Sequence, residues 1–291
     1  MDYGYNAIMI NEHIELGVIN TLKVNRDTEP GLYLEAGDEE VILLPNAYVT
    51  DEMYIDDELD VFVYTDSEDR LVCTTETPYG MKDQFIISKV VDTMKFGAFV
   101  DWGLPKDLFV PRNKQKTPFE VGDTRIVRIV EDIETNRLYG VEKVTSFLTK
   151  DTKGLEINDE VRLLIFAKTP LGFKVIVNNM YEGLIYANEI FTKLEISNDI
   201  VGYIKNIRED GKLDISLQPV GKEASGDVNT QKIVMLLKQN ENYLPYNYKT
   251  DVNVIKKVFG ISKKAYKRTL TALIDTKTIE LDDEGMKLLK V

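Results

Sequence analysis

The chain holds one cysteine, Cys73, one histidine, His13, and one tryptophan among 291 residues. A lone thiol forms no internal disulfide, and two such residues do not make a Cys/His zinc cluster. His13 lies in acidic text without a nucleophile motif beside it, so it reads as a plain surface or strand residue rather than part of a triad. Gly-rich phosphate loops, nucleophile elbows and paired catalytic carboxylates are missing as well. Runs such as Asp56-Asp57-Glu58 read as solvated turns. No apolar stretch approaches the roughly 18 residues of a membrane span. No basic segment leading into an apolar one opens the chain, so no secretory signal is expected. These gaps predict a non-catalytic, cytoplasmic protein with no metal, no cofactor and no membrane partner.

Basic residues are scarce in one region only. Residues 1–76 hold 3 basic and 19 acidic side chains, a net of −16, whereas the whole chain has a net charge of −13. Residues 77–149, 150–222 and 223–291 carry +1, −1 and +3. Phosphate-binding surfaces need positive potential. The first quarter is therefore a poor candidate for nucleic acid and a better one for a structural role or for docking a basic protein partner.

What the chain does have is a repeat. Fourteen positions separate Gly31 from Pro45, Gly97 from Pro111, and Gly172 from Tyr186. The same offsets carry Val24 onto Val90 and Ile165, and Val63 onto Ile129 and Ile204. Such self-similarity precedes any reading of the fold. Each copy is a string of short Val/Ile/Leu/aromatic runs parted by turn signals. In the first these are Leu16 to Val24, Gly31 to Leu34, Val41 to Leu44, Leu59 to Tyr64 and Arg70 to Thr74, with a short helical turn in Asn46 to Ile55. Five strands in about seventy residues predict a small closed barrel of the OB type, since closure removes exposed edges.

The middle copy contains Lys95-Phe96-Gly97-Ala98-Phe99-Val100. Residues three apart on a regular strand face opposite sides. A bulge at Gly97 would bring both rings to one side, where they form a stacking platform for unpaired bases or, alternatively, part of the core. This copy resembles the RNA-binding repeat of the largest small-subunit ribosomal protein, the S-one domain. The resemblance runs through Phe96 to Val100, Leu108-Phe109-Val110-Pro111, Val121-Gly122-Asp123 and Asn136-Arg137-Leu138. It implies that Phe96, Phe99 and Arg137 face nucleic acid, with Lys95 beside them. Pro111 stands where that family has a histidine, and the family's acid falls on Asp132 or its neighbour Ile133. In the third copy Leu171 and Lys174 hold the aromatic positions, Tyr186 the histidine and Lys212 the arginine, with Arg208 nearby. That face would use Lys174, Arg208 and Lys212 for phosphate and Tyr186 for stacking.

After Pro219 the text Val220 to Asp227 is small and polar, as a linker is. Beyond it the period changes to 3.6. Ile233, Leu236 and Leu237 form one stripe. Asn242 to Asn247 reads as a loop. Asp251 caps a second helix that Gly260 ends, and Ser262 caps a third bearing Tyr266, Leu270, Leu273 and Ile274. Lys277 to Glu280 and Gly285 to Leu288 pair as a wing, giving a winged helix-turn-helix. Lys263, Lys264, Lys267 and Arg268 share an outward face of the third helix, either a phosphate-binding surface or a solvated one.

The predicted fold is mainly β with a C-terminal α+β domain. It comprises three tandem five-stranded OB-type barrels over 1–76, 77–149 and 150–222, and a winged helix over 223–291. This order, with Tyr243-Leu244-Pro245 and Gly260 to Arg268, resembles the conserved virulence factor B (CvfB, YitL-like) family. The resemblance implies a cytoplasmic RNA-binding regulator of gene expression. Single-stranded RNA is the expected partner. Duplex DNA held by the winged helix, and a protein adaptor role for the acidic first barrel, stand as alternatives.

Overall fold

Gly31 lies directly across a strand pair from Pro45, Gly97 from Pro111, and Gly172 from Tyr186. The fourteen-residue spacing is thus the contour of one antiparallel hairpin, closed three times in the same register. The computed structural model describes residues 14–37, 40–190, 193–219 and 222–289. His13, Asp38 and Val220-Gly221 lie outside them.

The first barrel comprises β1 (Ile19–Thr28), β2 (Gly31–Glu35), β3 (Val41–Pro45), β4 (Glu58–Thr65) and β5 (Leu71–Thr74), closed in the order β1-β2-β3-β5-β4. The second comprises β6 (Phe85–Met94), β7 (Gly97–Val100), β8 (Leu108–Pro111), β9 (Thr124–Asp132) and β10 (Arg137–Val141), in the order β10-β9-β6-β7-β8. Side chains close it where β8 meets β10: a Cβ on Gly140 would come within 2.7 Å of Val110. The third is a closed barrel of β11 (Glu160–Thr169), β12 (Gly172–Val177), β13 (Tyr181–Tyr186), β14 (Asp199–Ile207) and β15 (Leu213–Ser216). A 3-10 turn follows the third strand of each, at Asn46–Tyr48, Arg112–Lys114 and Ala187–Glu189. Alternate residues of each strand fill the interior, as a pleated half-buried strand requires. Val24, Leu34, Leu44 and Val63 line the first core, and Val90, Val100, Val110 and Ile129 the second.

The bulge expected at Gly97 lies one strand earlier, between Val90 and Asp92, with counterparts at Val24/Arg26 and Ile165/Ala167. β7 itself runs in regular register against β8. Gly97 answers a close approach instead, because a Cβ there would sit 2.3 Å from the Phe109 ring and 2.7 Å from the Val110 carbonyl oxygen.

The described residues fall into two compact units, divided between residues 146 and 147. In the first unit both barrels share packing. Phe62 and Tyr64 of β4 join the core of the second barrel, and the lone tryptophan, Trp102, meets Phe62 edge-on at 5.7 Å between centroids.

The second unit carries the third barrel and then α1 (Lys222–Gln239), β16 (Tyr243–Leu244), α2 (Val252–Phe259), α3 (Lys263–Asp275), β17 (Ile279–Leu281) and β18 (Met286–Leu288). The caps sit as expected. Asp251 accepts the Asn253 N–H, Gly260 adopts a left-handed φ of 63°, and Ser262 accepts the Ala265 N–H. Two expectations change. The linker text from Lys222 onward is helical, α1 beginning there. The loop at Asn242 to Asn247 contains β16, since Tyr243 and Leu244 pair with Lys287 and Met286 and add a third strand to the wing. Leu244 is buried, and pairing satisfies the backbone that burial takes from water. No helix among the described residues is long and apolar enough to cross a membrane.

Candidate nucleic-acid interface

Phe96 immediately precedes β7, and its carbonyl accepts the Arg112 N–H at 2.9 Å. That bond pins the backbone while the ring stays 62% exposed. Phe99 alternates with buried Ala98 and Val100, so it points away from the core and is half-buried. Both rings lean on Phe109, the cross-strand partner of Phe99, at centroid distances of 5.7 and 5.3 Å. Three tilted rings thus share one side of the sheet without a bulge between them. Phe109 escaped the sequence reading, although the anchor pair Gly97 and Pro111 already placed it opposite Phe99.

These rings line a groove of about 850 Å³ together with Pro111, Arg137 and Tyr139. Lys114 adds a cation over the Tyr139 ring at 5.8 Å. Lys95 is exposed but does not line the groove. Of the two candidates for the acid, Asp132 lines it, while Ile133 is exposed. The groove is not uniformly basic. Asp107 lines it with a carboxyl held above its ordinary pKa by burial and by Asp101 and Asp92. Lys106 sits half-buried with its ammonium below the ordinary range. Burial is the main cause, Arg137 adds to it, and Asp69 opposes it. Its Nζ donates to the Asp66 carbonyl at 2.6 Å.

On the third barrel, Leu171, Lys174, Arg208 and Lys212 line a second groove of about 460 Å³. Its cations are engaged. Lys174 and Lys212 both close on Glu182, at 3.0 and 3.2 Å. Burial pushes the Glu182 carboxyl up, but hydrogen bonds from the two ammonium groups outweigh it and hold the acid below its usual range. Arg208 lies 3.6 Å from Asp210. Tyr186 does not line this groove; its hydroxyl donates to Asp214 at 3.1 Å, and that bond raises the phenol pKa. In the winged helix, Lys264, Lys267 and Arg268 lie exposed on α3 and Lys263 is half-buried at its first turn.

Comparison with known proteins follows this architecture. An S1 domain family matches residues 16–76, the acidic barrel, and a CvfB-like winged helix domain matches residues 231–288. YitL of Bacillus subtilis (strain 168) is 28% identical over 263 residues, 87% of each chain. Conserved virulence factor B of Staphylococcus epidermidis (strain ATCC 35984) is 27% identical over 271 residues, 88% of this chain and 89% of that one. The chain is similar over most of its length to these relatives, and its C-terminal part matches the CvfB-like winged helix domain. The two family matches fall at opposite ends of this CvfB-like chain, the S1 domain on the first barrel and the winged helix domain last. A solved structure from Streptococcus pneumoniae, titled a multidomain protein with nucleic acid binding domains, is 23% identical. It covers 94% of this chain and 98% of that one with a TM-score of 0.42.

Proposed function

We propose that this CvfB-like protein binds single-stranded RNA and regulates gene expression after transcription, in the cytoplasm and without catalysing a reaction. The observation that carries the reading is the trio Phe96, Phe99 and Phe109 on one groove wall with Arg137. Aromatic faces receive bases of any sequence, and cations follow the backbone. The groove has the volume of a ligand site, about 850 Å³, and Phe96 stays exposed on it. In the second unit, Lys174, Arg208 and Lys212 of the third-barrel groove, Tyr186 outside it, and Lys263, Lys264, Lys267 and Arg268 on α3 are further candidate contacts. Their carboxylate partners on the third barrel would be exchanged for phosphate. The S-one resemblance of the middle copy and the S1 domain match of the first favour the same reading.

The test is fluorescence anisotropy of the intact chain with an oligo-U RNA, the matching single-stranded DNA and a duplex DNA at one salt concentration. RNA is expected to bind most tightly. Phe96→Ala with Phe99→Ala should weaken it tenfold or more, each stack being worth roughly 1–3 kcal/mol. Preference for duplex DNA, unaffected by the double substitution and lost with Lys267→Ala and Arg268→Ala, would favour the winged helix as a DNA reader instead.

A further inference from the structure

The second unit holds a cleft between β14 and β15 of the third barrel and α1 of the winged helix, with a volume of about 440 Å³. That size suits a small molecule. Two cleft residues from consecutive turns of α1 have no use elsewhere. Asn229 is 1% exposed, and its Nδ2 donates to nothing. Buried amide donors are nearly always paired, so an orphan marks a missing acceptor. Lys232, three residues on, is half-buried and has no carboxylate partner among the described residues. Burial alone holds its ammonium below the ordinary pKa.

The other charged groups of the cleft are accounted for. Glu189 is engaged by Lys205. Lys193 pairs with Glu195 at 2.5 Å. The opposite wall supplies apolar Val201 and Leu217 beside the amide of Gln218. A buried amide and a desolvated cation on one side, with apolar and amide groups facing them, suit an oxyanion joined to a flat, partly polar body. We infer that this cleft binds a small phosphorylated molecule of mononucleotide size, its phosphate held by Lys232 and Asn229. The site is separate from the aromatic groove and does not depend on RNA binding there.

Isothermal titration of the full chain with uridine and adenosine 5′-monophosphates tests this. At least one is expected to bind with a Kd at or below about 1 mM, and its nucleoside at least tenfold more weakly. Lys232→Met keeps the length of the side chain without the charge and should weaken the nucleotide at least tenfold, leaving RNA affinity unchanged. Broadening of the nucleotide ³¹P signal by the wild-type chain reads the same contact without any variant. Equal binding of nucleotide and nucleoside, an unaffected Lys232→Met, or binding of a 5′-phosphorylated RNA with none of either mononucleotide overturns the inference.

Discussion

Asp69, in the turn that leads into β5 of the first barrel, forms an ion pair with Arg137 at the start of β10 in the second. The same carboxylate lies 3.8 Å from Lys106. The acidic barrel therefore places a carboxylate where the groove would otherwise offer a cation to phosphate. Asp69→Asn should raise RNA affinity about two- to fivefold and steepen the salt dependence by about one phosphate contact, near 0.7 in the log–log slope. Both groups are partly exposed, so stability should change by no more than about 1 kcal/mol. Anisotropy titrations at two salt concentrations measure this, and an unchanged affinity would show that Asp69 does not mask the groove.

Gly97 sets the spacing of the rings. Gly97→Ala would drive a methyl group into the Phe109 ring and the Val110 carbonyl. It should lower the melting temperature and weaken RNA together. Phe96→Ala removes an exposed ring and should weaken RNA while leaving stability within about 0.5 kcal/mol. Thermal melts run beside the binding assay separate the two effects. Loss of stability in Phe96→Ala would mean that its ring serves packing.

Glu182 holds two lysines at once on the third barrel. Its carboxyl is depressed in the folded chain, so its stabilising contribution is present above the unfolded carboxylate pKa near 4.5 and is lost as pH falls through the lower, folded value. Glu182→Gln should reduce that acid sensitivity and, at neutral pH, free Lys174 and Lys212 to raise RNA affinity several-fold. Melts between pH 3 and 7 with parallel titrations check both halves.

Cys73 is buried on β5 with its thiol turned to the Leu43 carbonyl at 3.4 Å. Burial pushes its pKa up to about 12 from 9.0. The folded chain thus disfavours the thiolate. Its contribution to stability is intact below about pH 9 and falls away as pH rises toward 12. Alkylation by iodoacetamide at pH 8 should be negligible in the native chain and rapid in urea, because only the thiolate reacts. Native labelling within minutes would show that β5 opens readily.

The amino-acid order alone determined the threefold repeat, the hairpin register marked by Gly31, Gly97 and Gly172, and the capped helices of the C-terminal domain. Each rests on periods and turn chemistry that act within a few residues or one hairpin. The S-one resemblance of the middle copy added the expectation that Phe96, Phe99 and Arg137 face nucleic acid. Only the tertiary structure set the Phe96 and Phe99 rings together against Phe109, brought Asp69 onto Arg137 across 68 residues, and set Glu182 between Lys174 and Lys212. Those relations depend on how finished strands pair and how the first two barrels pack, and no local pattern encodes them.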